Sequence, residues 1–263
     1  MMELLILMSM GAIAGTLAGL LGIGGGIIIV PVLALVFRNQ GVPIDVLMHV
    51  SIGTSLATIV VTSLSSIRAH QKRGAIDWSV FRRITPGIIL GAFLGSVLAD
   101  AIPGAELRVL FAIFMFLVAT QMMIAGIPAP HRKLPQRPGM LGAGVVIGTI
   151  SALMGVGGGS MSVPFMTWCN VHIRQAVATS AAIGLPIALA GAAGFMITGW
   201  GTEARPPWSV GYVNLPAFMG IVVASILFAP LGAKLAHTIP PTLLKRIFAV
   251  LLYVLGARML LTG

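Results

Sequence analysis

The residues here whose type and spacing suit chemistry are glycines and hydroxyls, not a catalytic set. Two knots, Gly24-Gly25-Gly26 and Gly157-Gly158-Gly159, interrupt apolar stretches. Glycine permits positive φ and close backbone approach, and costs about 1 kcal/mol per residue in a helix relative to Ala. Three in a row make a poor helix. In an apolar solvent, unpaired amides are tolerated only when buried in protein or facing a hydrated cavity. Each knot is therefore expected to end one helix and bare backbone N–H groups at the start of the next. Such a start carries about half a positive charge and holds an anion without a basic side chain. Ser160 and Ser162 add hydroxyl donors to the second knot. Gly11-xxx-Gly15-xxx-Gly19, by contrast, reads as close helix packing.

Two hydroxyl pairs, Thr54-Ser55 and Thr179-Ser180, come early in the apolar runs that follow the knots. Their hydroxyls either donate to a substrate oxygen or bond back to their own helix, and the sequence leaves both open. His49, at the head of one run, is a candidate proton carrier or an interfacial side chain. Pro31 and Pro164 follow the knots and Pro186 sits inside a later run, where a proline kinks or ends a helix. Glu3, Asp45, Asp77, Asp100, Glu106 and Glu203 all fall at run ends or in loops. None is at mid-span, where proton and sodium relays place a carboxylate. The 5 histidines are scattered, with no HxxxH or ExxH pairing, and Cys169 is the single cysteine. Neither an enzyme, a metal site, a cofactor nor a disulfide is expected.

These groups must be held by elements that fit the composition. The chain has 263 residues, 57% hydrophobic and 8% charged, with a mean hydropathy of +1.04. Soluble domains carry roughly 25% charged residues, and disorder needs low hydrophobicity. What remains is an all-α polytopic protein with lipid as its outer solvent. The net charge of +10 is not a nucleic-acid face, because the basic residues sit in short gaps between apolar runs, as in membrane loops. Runs are expected over Leu4–Phe37, Ile44–Ile67, Ile84–Ala99, Leu107–Ile127, Met140–Trp168, Val177–Trp200, Val210–Ala233 and Leu243–Leu261. Trp78, Trp168, Trp200, Trp208 and Tyr212 lie near their ends, as interfacial aromatics should.

The first and fifth runs repeat one another. Gly15-Thr16, Leu20-Leu21-Gly22-Ile23-Gly24-Gly25-Gly26 and Pro31 match Gly148-Thr149, Leu153-Met154-Gly155-Val156-Gly157-Gly158-Gly159 and Pro164 at a constant offset of 133. Gly53-Thr54-Ser55 matches Ala178-Thr179-Ser180 at offset 125, and Leu94-Gly95 through Phe111-Ala112 matches Leu231-Gly232 through Phe248-Ala249 at offset 137. Because the N-terminal run recurs in mid-chain, it reads as structure and not as a cleavable signal. The expected organisation is a first repeat over 1–127, a polar Pro-rich linker over 128–138 and a second repeat over 139–263. If each glycine-broken segment is a hairpin, 12 of the 16 basic residues share one side, against Arg38, Arg108, Arg205 and Arg258 on the other. If each crosses once, the division is 10 to 6. Charge bias favours hairpins and hence inverted halves, each a Gly-broken segment plus three full spans.

The duplicated knot followed by Pro, Gly53-Thr54-Ser55 with His49 ahead of it, and His70-Gln71-Lys72-Arg73-Gly74-Ala75-Ile76-Asp77-Trp78 together resemble the sulfite exporter TauE/SafE family, over nearly the whole chain. The resemblance implies a multi-pass permease of the bacterial or archaeal inner membrane, built from two repeated halves. It also implies a small sulfur-containing anion as substrate: sulfite, a sulfonate or a relative. The departures at Ala178 and Pro186 leave the identity of that anion open. The residues themselves lead to a secondary transporter working by alternating access, with the two knots facing each other. The alternative is a membrane assembly or channel-like subunit without a transported substrate. The expected partners are the anion and the bilayer, with no nucleic acid; transport direction, coupling ion and oligomeric state are not written in these residues.

Overall fold

The computed structural model describes residues 25–124, 133–236 and 241–261. Helices α1 (Gly26–Asn39), α2 (Ile44–Gln71), α3 (Trp78–Asp100) and α4 (Gly104–Ile124) are followed by α5 (Arg137–Leu153), α6 (Gly159–Trp168) and α7 (Ile173–Thr198). A small hairpin, β1 (Ser209–Val210) and β2 (Val213–Asn214), precedes α8 (Leu215–Ala236) and α9 (Pro241–Leu261). Among the described residues, α2, α3, α4 and α7 are each long and apolar enough to cross a membrane. The chain is an all-α multi-pass protein, with the hairpin as a local exception.

Burial separates a central pair from an outer layer. In their most apolar stretches α2 is 78% and α7 61% buried, against 44% for α3 and 33% for α4. The outer helices turn Leu90, Phe93, Leu94, Leu98 and Leu117 outward. That is natural where the surrounding solvent is hydrocarbon, and it explains why these helices lack a polar face. α3 and α5 meet along a glycine seam: Gly87, Gly91 and Gly95 abut the carbonyls of Leu141, Val145 and Thr149, while Gly144 and Gly148 lie against α3. Without side chains between them the two backbones come into contact, the usual device for helix association in lipid.

The contacts also give the helix directions. Gly87 meets Leu141 and Gly95 meets Thr149, so α3 and α5 run parallel. The Asp77 amide, at the start of α3, donates to Thr179 Oγ1 near the start of α7 at 2.9 Å. Thus α5 and α7 both begin at the end where α3 begins, and the broken segment between them enters and returns on one side. At the opposite ends of these helices, Gly53 of α2 packs on Phe195 of α7, and Gly184 of α7 on Ser63 of α2, so the central pair is antiparallel.

Two sequence expectations are corrected. The run Val210–Ala233 does not begin as a span: residues 209–214 form the hairpin, with Gly211 at φ 56, and α8 starts at Leu215. Asn214 starts it by accepting the Ala217 amide at 3.0 Å, a cap that hydropathy alone does not register. Tyr212, expected at the membrane interface with the tryptophans, is 6% exposed, whereas Trp200 and Trp208 are 68% and 80% exposed. Its ring fits between His49 and Phe195, with centroids 5.1 and 6.3 Å away.

Candidate functional site

Helix α5 stops because Gly155 takes φ 62, which lets its amide reach Ala152 O at 3.1 Å and the Val156 amide reach Ser151 O at 2.9 Å. This is a left-handed helix end of the kind glycine favours. The chain then runs through Val156 and Gly157 to Gly158, all buried, and α6 begins. Its first internal hydrogen bond is from the Ser162 amide to Gly158 O at 2.8 Å. The amides of Gly159, Ser160 and Met161 lie ahead of that bond, and Gly158 supplies no side-chain cap. Ser160 is 9% and Ser162 0% exposed, and both hydroxyl oxygens are buried without a hydrogen-bond partner among the described residues. The start of α6 is thus a buried set of donors with no acceptor among the described residues.

The first knot is met from Gly25 onward; Gly24 lies outside the described residues. Gly25 caps α1 at φ 72, and its carbonyl accepts from the Ile28 and Ile29 amides at 3.0 and 3.1 Å. The two breaks touch. A Cβ on Gly26 would sit 2.5 Å from Gly155 O, and one on Gly155 would sit 2.8 Å from Val30 of α1. Neither Pro31, Pro164 nor Pro186 ends its helix: α1, α6 and α7 run on through them. Each proline lacks the N–H that the carbonyl four residues back would accept (Ile27, Ser160 and Ala182), so backbone acceptors are freed inside the protein.

The four hydroxyls on the central helices are engaged in structure. Thr54 Oγ1 accepts the Asn214 amide at 2.9 Å, just as Thr179 Oγ1 accepts the Asp77 amide. Ser55 donates across to Gly155 O at 2.8 Å, bracing the α5–α6 turn, and Ser180 donates to Val177 O of its own helix at 2.9 Å. Thr54 and Thr179 keep their hydroxyl hydrogens for another acceptor. His49 is 4% exposed, its Nε2 donates to Ala99 O at 2.9 Å, and its Nδ1 is buried without a hydrogen-bond partner among the described residues. The histidine is therefore enclosed by protein.

The sequence profile of the family described as sulfite exporter TauE/SafE matches residues 7–259. The chain belongs to the TauE/SafE family. It is similar to a probable membrane transporter protein of Haemophilus influenzae, 36% identical over 260 residues and covering 98% of each chain. A probable membrane transporter protein of Methanocaldococcus jannaschii is 33% identical over 263 residues, covering 97% of this chain and 95% of that one. One from Bacillus subtilis is 28% identical over 282 residues, covering 100% and 99%. No solved structure matches the chain. This is a multi-pass membrane transporter and not an enzyme.

In this TauE/SafE chain the sequence reading missed the partners of Thr54 and Thr179. Asp77 and Asn214 are the caps of α3 and α8, and their own amides are what the two threonines hold. The available signal is Asp77-Trp78-Ser79, an acidic residue placed to cap a helix start. Ala178 also finds its reason. Its counterpart Gly53 lies under Tyr212, where a Cβ would be 2.6 Å from the carbonyl oxygen, whereas Ala178 packs in a small apolar cluster with Ile76 and Ala182.

Proposed function

We propose that the chain is a secondary transporter for a small anion, with sulfite, a sulfonate or a related sulfur oxyanion as cargo. The anion is held by the backbone amides at the starts of α1 and α6, helped by Ser160 and Ser162. The observation that carries this reading is the buried start of α6. A helix end that is enclosed and uncapped is incomplete without a ligand. Its donors are uncharged amides and hydroxyls, suited to an anion that must also leave. Since α1 starts against the α5–α6 turn, both breaks would border the one chamber proposed for the anion. The family's description as sulfite exporters supports the sulfur-anion class.

Two inverted halves, 1–127 and 139–263 joined by the 128–138 linker, rock around that chamber. An exchanged pair of contacts supports the inversion. Thr54 of the first half holds the cap of α8 in the second, and Thr179 of the second holds the cap of α3 in the first. Contacts exchanged in this way are the mark of a two-fold relation. The α2 and α7 helices, which carry the two threonines, start on opposite sides. Inverted repeats meeting at broken helices recur among transporters that work by alternating access. Charge bias makes the side bearing Arg68, Lys72, Arg73, Arg82 and Arg83 cytoplasmic.

The test uses Ser160→Ala and Ser162→Ala in proteoliposomes, with radiolabelled sulfite uptake and thermal melting side by side. Both hydroxyls lack a partner among the described residues, so their loss should leave the melting temperature unchanged or slightly higher. The KM should rise about tenfold or more, as expected for losing one hydrogen bond to a charged ligand. Unchanged sulfite kinetics in both variants would remove these hydroxyls from the site.

A further inference from the structure

A cavity of about 250 Å³ opens between α1, α2, α4 and α9, and no residue of either knot lines it. Its walls include Pro31, Ala34, Leu47, Met48 and Met259, and two guanidiniums, Arg38 and Arg108, project among them. Arg108 Nε is buried without a hydrogen-bond partner, and neither arginine has an ion pair among the described residues. Arg38 is exposed and Arg108 half-buried, so it is the enclosed Nε–H of Arg108 that lacks an acceptor, an unfavourable state until an oxyanion engages it. The carboxylates on the adjoining helix starts, Asp45 and Glu106, are exposed and do not line the cavity. The start of α2, capped by Pro43 with no side-chain bond, brings Ile44 to the same wall and adds its positive dipole end.

Size and chemistry define the occupant. At roughly 30 Å³ per water, the cavity holds about eight waters. That exceeds an inorganic oxyanion, which would leave the apolar wall unused, and it is too small for a phospholipid. We propose that this cavity is a second anion site, for a small organic anion whose sulfonate or carboxylate lies between Arg38 and Arg108 and whose short apolar body lies against Ala34, Leu47, Met48 and Met259. It goes beyond the amide site and stands without it.

Calorimetric titration of the full chain with methanesulfonate and butanesulfonate tests the assignment. Affinity should rise about fourfold for each added methylene that enters the cavity. Arg38→Gln and Arg108→Gln should each weaken butanesulfonate at least tenfold. If either fails to fold, Arg38→Lys and Arg108→Lys keep the charge, lose the planar fork, and should weaken binding several-fold. Equal affinity for the two sulfonates, or binding indifferent to the arginines, overturns the proposal. So does loss of butanesulfonate binding when phosphatidylglycerol is added to phosphatidylcholine nanodiscs, which would assign the cavity to lipid. Ser162→Ala separates the two sites: it should impair sulfite uptake and leave the arginine-dependent part of the butanesulfonate titration unaltered.

Discussion

Thr54 and Thr179 show how one side chain fixes two elements at once. Each sits on a central helix and accepts a backbone amide from the cap of a helix far along the chain. Replacing either with Val keeps the shape and leaves an N–H unpaired, buried at Asn214 and part-buried at Asp77, which costs about 1–3 kcal/mol. Thr54→Val and Thr179→Val should therefore lower the melting temperature in detergent by similar amounts, with the double variant close to additive. Tyr212 carries a pH signature. Burial, with the hydrogen bond it donates to Asp100 Oδ1 at 3.0 Å, raises its pKa above the ordinary 10.0, partly offset by the hydroxyl of Thr202. A raised folded pKa means the stability is full below the ordinary value and falls as pH climbs through the folded one. Melting curves between pH 9 and about 11 should show that extra loss in the wild type and less of it in Tyr212→Phe.

At the scale of elements, glycine serves two separate ends. Along α3 and α5 it removes bulk so that backbones meet; at Gly25 and Gly155 it supplies a left-handed turn that ends or opens a helix. Gly91→Val probes the first use alone. Its Cβ would run into the Val145 carbonyl, where backbone and not a flexible side chain must move. Overpacking of this kind costs about 1–3 kcal/mol or more. Thermal melting should drop by several degrees, and sulfite uptake per folded molecule should change far less. The breaks were legible in sequence because three consecutive glycines in an apolar run have few other readings. The α3–α5 seam was not, since Gly87, Gly91 and Gly95 look like ordinary small residues until the facing helix is known. The hairpin over 209–214 escaped for a related reason: Val210, Tyr212 and Val213 are apolar, and only their pairing distinguishes a strand from the edge of a span.

For the whole molecule, the arrangement of helix starts makes topology testable. In a Cys169→Ala background, Lys72→Cys and Glu203→Cys place single thiols on exposed loops at opposite ends of the bundle. A membrane-impermeant maleimide added to intact cells should label Glu203→Cys and spare Lys72→Cys until the membrane is opened. The reverse pattern would invert the assigned orientation, and equal labelling of both would contradict a bundle whose two ends face different compartments.

Composition by itself determined the solvent of this protein: so few charges and so much apolar surface leave only lipid as its surroundings. The duplicated glycine knots likewise fixed where helices must break, because backbone conformation is a local property of residue type. Which partner each polar group takes was decided by the tertiary structure. Thr54 could not announce Asn214 at 160 positions' remove, nor could Arg38 announce Arg108, since those pairings depend on how helices cross. Ser55 and Ser180, the same residue at matched places, end with different acceptors because only one of them faces the α5–α6 turn.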